Sequence, residues 1–150
     1  MIIADSDVLI DYLGSRIPAA ARAAVPIEKK ELCTTVITRY EIMSGIGTPR
    51  QIESARRLFA LVPTLTLDTE CAERGAGVRR ELERKGLTIG IADSLIAGIA
   101  LTFHCALLSR NRRHFERVDG LILAPLEEPH SRANSYSASA HSFGCVNITS

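Results

Sequence analysis

The sequence lacks tryptophan, paired cysteines and any long apolar segment, and these absences narrow the kinds of protein it can be. Without Trp, the chain is missing one common anchor of protein interfaces. Its four cysteines stand singly, with no C-x-x-C pair and no His at ligand spacing, which disfavours a zinc site or a disulfide framework. They are Cys33, Cys71, Cys105 and Cys145. The longest apolar stretch, Leu95 to Leu108, is too short to span a membrane, and the first residues lack the pattern of a secretory signal. We therefore expect a cytoplasmic protein that does not associate with membranes.

The charges are nearly balanced, but the basic ones are unevenly distributed. A formal net charge of +1 argues against binding nucleic acid by bulk electrostatic attraction. Four arginines nevertheless fall within eight residues beside His114: Arg110, Arg112, Arg113 and Arg117. A solvated helix face explains this basic cluster as well as a nucleic-acid contact does.

Short apolar runs alternate with helical patterns along the chain, which predicts an α/β fold. We expect about five short strands in a parallel sheet flanked by helices. The predicted strands are 2–4, 32–38, 64–67, 106–108 and 121–123. The 150 residues fit one domain, which we place at residues 1–128. Residues 129–150 hold six Ser and no acid and are expected to form a flexible or non-native tail.

Proline and glycine indicate where helices begin and how they pack. A helix is expected over residues 18–30, and Thr48 followed by Pro49 is typical of the start of another helix. Gly75 and Gly77 lie inside a long predicted helix, where each glycine costs about 1 kcal/mol relative to Ala. Their presence predicts close packing of this helix against a neighbour.

Three acids stand at the edges of apolar elements, where a globular protein normally avoids a charge. Asp5 ends the first predicted strand, Glu41 follows the second, and Asp93 interrupts an apolar helical run over 89–100. No Lys or Arg lies within four residues of Asp5 or Asp93, so a local helical ion pair does not compensate them. Because the carboxyl ends of parallel strands meet at one rim of the sheet, the three acids can converge there. A shared cation would satisfy all of them.

Each of these acids also has a purely structural interpretation. Asp5 could cap the following helix, and Glu41 could be a solvated acid favoured by the helix dipole. Asp93 is harder to explain in this way, because an acid within so apolar a run is usually paired or bound to an ion. Four other acids are explained by caps, turns or exposed helix positions: Asp7, Asp11, Asp68 and Asp119.

An all-oxygen set of two or three carboxylates selects a hard cation, Mg²⁺ or Mn²⁺, over zinc or copper. Mg²⁺ keeps several waters, and one of them can attack a phosphodiester while the ion offsets negative charge on the phosphate. The clustering of acids therefore favours phosphoryl chemistry over structural metal binding. Ser6 and Asp7 adjoin Asp5 and can orient a ligating oxygen or a water.

Four segments carry a resemblance to a known family. They are Ile3 to Asp11, Thr38 to Ile42 with Gly45, Ile91 to Ala97, and Ser109 to Phe115 with Gly120 and Leu121. Over residues 1 to about 125, the chain resembles the PIN-domain ribonucleases of the VapC toxin type. Each segment alone is a modest signal, whereas four of them in order at the expected separations are specific.

The resemblance implies a Mg²⁺-dependent endoribonuclease, the toxin of a type II toxin–antitoxin pair, which hydrolyses RNA phosphodiesters with a metal-activated water. It also implies inhibition by a cognate VapB-like antitoxin and a homodimeric state. By match to the family, the acids that bind the metal and carry catalysis are Asp5, Glu41 and Asp93.

The same match implies roles for the residues around the three acids. Ser6, Arg110 and Arg112 become the expected contacts to the RNA substrate, and Asp7 supports the metal ligands. Family members often have a fourth acid after the fourth strand. Here Asn111 and His114 occupy that region, and Asn111 is the expected catalytic group, either as a neutral oxygen ligand or as a residue that positions water.

Two other functions fit parts of the sequence. Asp5-Ser6-Asp7-Val8 is similar to the opening of haloacid-dehalogenase-like phosphatases, in which the first Asp is a covalent nucleophile. Those phosphatases also have a downstream Lys and an acidic pair, and no adjacent Asp pair occurs in this chain. The missing fourth acid also fits a PIN module that binds RNA or an antitoxin through its arginines and cleaves nothing.

Overall fold

The computed structural model describes residues 1–14 and 31–125. Its four strands are β1 (Ile2–Ala4), β2 (Leu32–Thr35), β3 (Thr64–Leu65) and β4 (Ala106–Leu108). The helices in the described part are α1 (Ser6–Leu13), α2 (Val36–Gly45), α3 (Pro49–Leu61), α4 (Thr69–Arg84), α5 (Ile91–Thr102) and α6 (Arg112–Phe115). The predicted helix over 18–30 and the predicted tail over 129–150 lie outside the described residues.

The strands form one parallel sheet in the order β3-β2-β1-β4. In the register of β1, Ile2 lies opposite Leu32 on one side and Ala106 on the other. This confirms the predicted parallel sheet and places β1 at its centre. The carboxyl ends of β1 and β4 therefore lie side by side, directly before Asp5 and Ser109.

The predicted fifth strand over 121–123 is reduced to a single parallel bridge between Leu107 and Leu123. Two backbone hydrogen bonds form it: Leu107 donates to the carbonyl of Ile122 at 2.8 Å, and Ala124 donates to the carbonyl of Leu107 at 2.8 Å. The carbonyl of Ala124 then accepts a hydrogen bond from Arg112 Nη1 at 2.9 Å. Within the described residues the pairing with β4 is therefore limited to one bridge, and a side chain binds the carbonyl that follows it.

Strand β2 is shorter than predicted, since a helix cap replaces its last residues. The hydroxyl of Thr35 accepts a hydrogen bond from the backbone N–H of Thr38 at 3.0 Å, and α2 begins at Val36. The β-branched residues of 36–38 favour a strand by propensity, but the Thr cap satisfies a free N–H of the first helical turn. Glu41 consequently lies on α2, in its second turn.

Apolar side chains cover both faces of the sheet, as a parallel sheet requires. Ile3, Cys33 and Leu107 belong to one buried cluster, together with residues of α4 and α5. Ala4, Leu32 and Leu108 belong to a second cluster, with residues of α1, α2 and α3. Successive strand residues thus point to opposite faces, and the rim at the strand ends is left for polar groups.

Helices α4 and α5 cross at glycines, which confirms part of the predicted close packing. A Cβ on Gly75 would lie 2.7 Å from the carbonyl oxygen of Ser94, and one on Gly98 would lie 2.6 Å from the backbone nitrogen of Gly75. Gly77 is different, because a Cβ at this position would meet only the guanidinium of Arg80, at 3.9 Å. The prediction for Gly77 was wrong. This crossing fixes α5, the helix that carries Asp93.

Within residues 1–14 and 31–125, none of the helices combines the length and the apolar character needed to cross a bilayer.

Candidate active site

Asp5 joins the end of β1 to the start of α1, and both of its carboxylate oxygens have partners. Oδ1 accepts the backbone N–H of Ser6 at 2.7 Å, and Oδ2 accepts the hydroxyl of Ser109 at 2.7 Å. The residue is only 5% exposed. Asp5 therefore caps the helix, as its structural interpretation predicted, while the same carboxylate faces the loop that follows β4.

Burial raises the pKa of Asp5 from 3.8 to about 6. Hydrogen bonds from Ser109 and Ser6 oppose this rise, whereas the negative charges of Asp7 and Glu41 add to it. Asp7 and Glu41 therefore lie close enough to Asp5 to repel its charge.

Asp93 lies in the first turn of α5 and is held by two residues from the start of α6. Its Oδ2 is 2.7 Å from Nδ1 of His114 and 3.3 Å from Nδ2 of Asn111. Nδ1 of His114 also lies 2.8 Å from Nδ2 of Asn111, so Asp93, His114 and Asn111 form one hydrogen-bonded group. The two residues that stand where the family often has a fourth acid thus hold Asp93 in place.

Two carboxylate oxygens at this rim are buried and have no hydrogen-bond partner among the described residues: Glu41 Oε2 and Asp7 Oδ1. Burial raises the pKa of Asp7, and its contacts to Arg110 oppose the rise. A buried carboxylate oxygen without a partner is costly unless a cation or a proton reaches it.

The loop of residues 109–111 connects Asp5 to Asp93. Ser109 donates its hydroxyl to Asp5 and accepts the backbone N–H of Asn111 at 3.0 Å. Asn111 then donates its side-chain N–H to Asp93. Ser109 was not predicted as a site residue, although a small hydroxyl directly after a buried strand was a weak signal for it.

The two arginines predicted to contact RNA are already engaged. Arg110 Nη1 is 2.8 Å from Asp11 Oδ2, and the backbone N–H of Arg110 donates to Asp7 at 2.8 Å. Arg112 pairs with Glu116 at 3.3 Å and donates to the carbonyl of Ala124. Contact of either guanidinium with phosphate stays a prediction.

Asp11 was explained from the sequence by a cap, a turn or an exposed helix position, but the residue is only 3% exposed. That explanation is wrong. The residue lies one turn after Asp7 on the inward side of α1, where Arg110 reaches it from 99 positions further along the chain.

Ser6 is half-buried beside Asp5, and its predicted contact to substrate also stays a prediction.

The donor chemistry of this rim fits a hard divalent cation, because it offers carboxylate oxygens and two of them are buried without a partner. Among the described residues, however, no three His, Cys, Asp or Glu side chains are grouped so that they could hold one ion. The ligand set Asp5, Glu41 and Asp93 stays a prediction.

Comparisons with known proteins agree with this fold. The family model described as PIN domain matches residues 2–121. Ribonuclease VapC10 of Mycobacterium tuberculosis is 33% identical over 126 residues, which cover 81% of this chain and 90% of the relative. The tRNA(fMet)-specific endonuclease VapC of Shigella flexneri is 28% identical over 121 residues, which cover 78% of this chain and 91% of that protein.

A solved structure of DNA-bound VapBC from Salmonella typhimurium superimposes with a TM-score of 0.74 at 25% identity and covers 82% of this chain and 96% of its own. The chain therefore belongs to the PIN-domain family. The prediction of a ribonuclease of the VapC toxin type is confirmed by these matches. The segment that had suggested a phosphatase, Asp5 to Val8, lies within the PIN match, and that alternative is not carried further.

Proposed function

We propose that the chain is a metal-dependent endoribonuclease that hydrolyses RNA phosphodiesters at the rim formed by Asp5, Glu41 and Asp93. The observation that carries this proposal is the buried acid cluster: Asp5 has a pKa raised to about 6, and Glu41 has a buried oxygen without a hydrogen-bond partner in the described part of the chain. Such an arrangement is costly for folding alone and is typical of a site that binds a cation.

The proposed cofactor is Mg²⁺, with Mn²⁺ as a substitute, held by the carboxylates of Asp5, Glu41 and Asp93. A hard divalent cation at this place supplies positive charge opposite the phosphate oxygens and raises the acidity of water. Oxygen ligands favour both ions over zinc.

The surrounding residues orient the acids. Ser109 and the N–H of Ser6 hold the two oxygens of Asp5 and favour its ionised form. His114 and Asn111 hold Asp93 through one oxygen, Oδ2. Asn111, a neutral amide beside Asp93, is the proposed residue that positions a water or serves as a neutral oxygen ligand. Asp7 supports this rim by accepting the backbone N–H of Arg110.

The proposed substrate is RNA, approached by its phosphates from the side of the basic cluster. Arg113 and Arg117 make no ion pair with any residue of 1–14 and 31–125, so their charge is available to attract a polyanion. Ser6 and Arg112 are further proposed contacts. The Shigella relative is named for cleavage of tRNA(fMet), which supports structured RNA as the substrate class.

The proposed partners are a VapB-like antitoxin and a second copy of the chain. The Salmonella neighbour is a VapBC complex, and this supports an antitoxin as the inhibitor. The homodimer rests on the resemblance to the family.

Incubation of the purified chain with structured RNAs tests this function. We expect cleavage with Mg²⁺ or Mn²⁺, none with EDTA, and a loss of at least about 100-fold in rate for Asp93→Asn, because one carboxylate and its charge are removed. Asp119→Asn is the matched control, since Asp119 is exposed and pairs with Lys85 far from the rim; it should cleave at the parent rate. Cleavage by Asp93→Asn at the parent rate would refute the residue assignment, and RNA binding without cleavage by the parent would favour the non-catalytic module.

A further inference from the structure

Arg110 is attached to α1 at two points. Its backbone N–H donates to Asp7 Oδ2 at 2.8 Å, and its guanidinium Nη1 lies 2.8 Å from Asp11 Oδ2. A longer contact of 3.7 Å joins Nε of the same guanidinium to Asp7. One residue of the loop after β4 is therefore held across a full turn of the helix that follows β1.

The charges on α1 explain why an arginine stands at this position. Asp7 and Asp11 are four residues apart and lie on the same side of the helix, where two like charges repel each other. The side chain of Asp11 is only 4% exposed, so its charge needs a cation in contact. An exposed ion pair would contribute little, but one partner of this pair is buried.

The position of Arg110 in the loop connects this attachment to the acid cluster. Ser109, directly before it, donates to Asp5, and Asn111, directly after it, donates to Asp93. Both neighbours reach the site only if the backbone at residue 110 keeps its place. The two acids concerned lie on different elements, the β1–α1 junction and α5.

We propose that Arg110 is a positioning residue: its attachment to Asp7 and Asp11 fixes the 109–111 loop so that Ser109 and Asn111 orient Asp5 and Asp93. In this proposal the guanidinium of Arg110 binds α1 in place of the predicted contact with RNA phosphate. The kinetic part of this inference rests on the proposed nuclease function, whereas the structural part does not.

Steady-state cleavage by Arg110→Gln separates the two roles. A positioning role lowers kcat by about 10- to 100-fold, because small displacements of catalytic groups cost this much. It leaves KM within about threefold of the parent and leaves the slope of log KM against log salt unchanged. A phosphate contact instead raises KM and reduces the slope of log KM against log salt by about 0.7; that outcome would overturn the proposal. Arg57→Gln is the matched control, since it removes the same charge and an exposed ion pair with Glu53 on α3, and it should keep the parent kcat.

Asp11→Asn provides a second test that leaves the arginine in place. If Arg110 acts through its attachment to α1, this variant lowers kcat in the same direction as Arg110→Gln and keeps KM. If Arg110 binds RNA, releasing its guanidinium from Asp11 leaves kcat unchanged or lowers KM, and the proposal is wrong. Thermal melting of both variants shows whether they remain folded at the assay temperature, so that a loss of kcat caused by unfolding is recognised. Arg110→Lys, which keeps the positive charge, is melted and assayed alongside them as the conservative replacement.

Amide hydrogen exchange tests the attachment without any activity. We expect Arg110→Gln to accelerate exchange of the backbone N–H groups of residues 110 and 111 by at least about tenfold, since the first donates to Asp7 on α1 and the second to Ser109 in the loop. The N–H of Ile3 in the central strand should exchange as in the parent. Unchanged exchange at 110 and 111 would refute the attachment. If the parent cleaves no RNA, the proposed function fails while this measurement still decides the role of Arg110.

Discussion

Asp5 shows how one carboxylate serves both the fold and the site. One oxygen caps α1 through the N–H of Ser6, and the other accepts the hydroxyl of Ser109 from the opposite end of the described chain. Both bonds favour the ionised form, yet burial outweighs them and the pKa rises to about 6. At neutral pH the metal-free protein thus keeps a buried negative charge at a cost in free energy.

The pKa of Asp5 predicts how stability changes with pH. Because the folded pKa of about 6 lies above the ordinary value of 3.8, the folded state binds a proton more tightly than the unfolded state, and this contribution to stability is lost as pH rises from 4 through 6. Asp5→Asn removes the charge but keeps a capping oxygen. We expect it to stabilise the protein in EDTA at pH 7 by roughly 1–3 kcal/mol, measured by urea unfolding, with the gain vanishing near pH 4.

A matched measurement with metal completes this prediction. Mg²⁺ should raise the stability of the parent more than that of Asp5→Asn, because a ligand that binds only the folded state stabilises it more the more tightly it binds, and the variant lacks one proposed metal ligand. An equal gain in both proteins, or a destabilised Asp5→Asn at pH 7, would contradict the buried charge as the cause.

At this scale the sequence pointed to the acids more clearly than to the residues that contact them. Asp5 and Asp93 were recognisable because a charge interrupts or ends an apolar run. Ser109 and Asp11 had no such local signal, since their roles come from contacts with residues 104 and 99 positions away. Asp11 looked like an ordinary helix acid until the fold brought Arg110 to it.

Among the elements, the crossing of α4 and α5 determines where Asp93 lies. The backbones approach at Gly75 and Gly98, where any side chain would collide with backbone atoms of the other helix. Backbone cannot give way as a flexible side chain can, so the two helices would have to move apart. Because α5 carries Asp93 in its first turn, such a shift would also displace the site.

Alanine substitutions at the two kinds of helical glycine test this crossing. Gly98→Ala should destabilise the protein by about 2–4 kcal/mol, since its Cβ would meet the carbonyl of Cys71 and the backbone of Gly75. In Gly77→Ala the new Cβ would meet only the flexible side chain of Arg80, at 3.9 Å, so this variant should instead stabilise by about 0.5–1 kcal/mol through the better helix propensity of Ala. Chemical denaturation of both variants measures the difference, and similar effects of the two substitutions would rule out the close approach.

The elements also show where sequence patterns stop being informative. Their order and the parallel sheet were predictable from alternating apolar runs and helical periods. The end of β2 was not, because Thr35 uses its hydroxyl to start a helix within a β-branched segment. The glycine pattern predicted close packing but not which glycine faces the neighbour, so Gly77 was included and Gly98 was overlooked.

For the whole molecule, the central place of β1 gathers charges of both signs at one end of the sheet. The acids around Asp5 and Asp93 lie beside the loop and short helix that carry the basic cluster, while both sheet faces are filled with apolar side chains. The net charge of only +1 therefore hides a local arrangement of an acidic site next to basic residues. Composition alone could not predict this arrangement, because it depends on which residues the fold brings to one end of the sheet.

Expression of the chain in bacteria without a partner tests the function of the whole molecule. If the acid cluster cleaves cellular RNA, growth should arrest soon after induction, and Asp5→Ala or Asp93→Ala should relieve the arrest because each removes a proposed metal ligand. Asp119→Ala, an exposed acid paired with Lys85, is the control and should remain toxic at equal protein levels. Sequencing of RNA 5′ ends after induction identifies the cleaved bonds. Equal toxicity of Asp93→Ala and the parent would show that any arrest arises from something other than this site, since a nuclease that depends on Asp93 cannot act without its carboxylate.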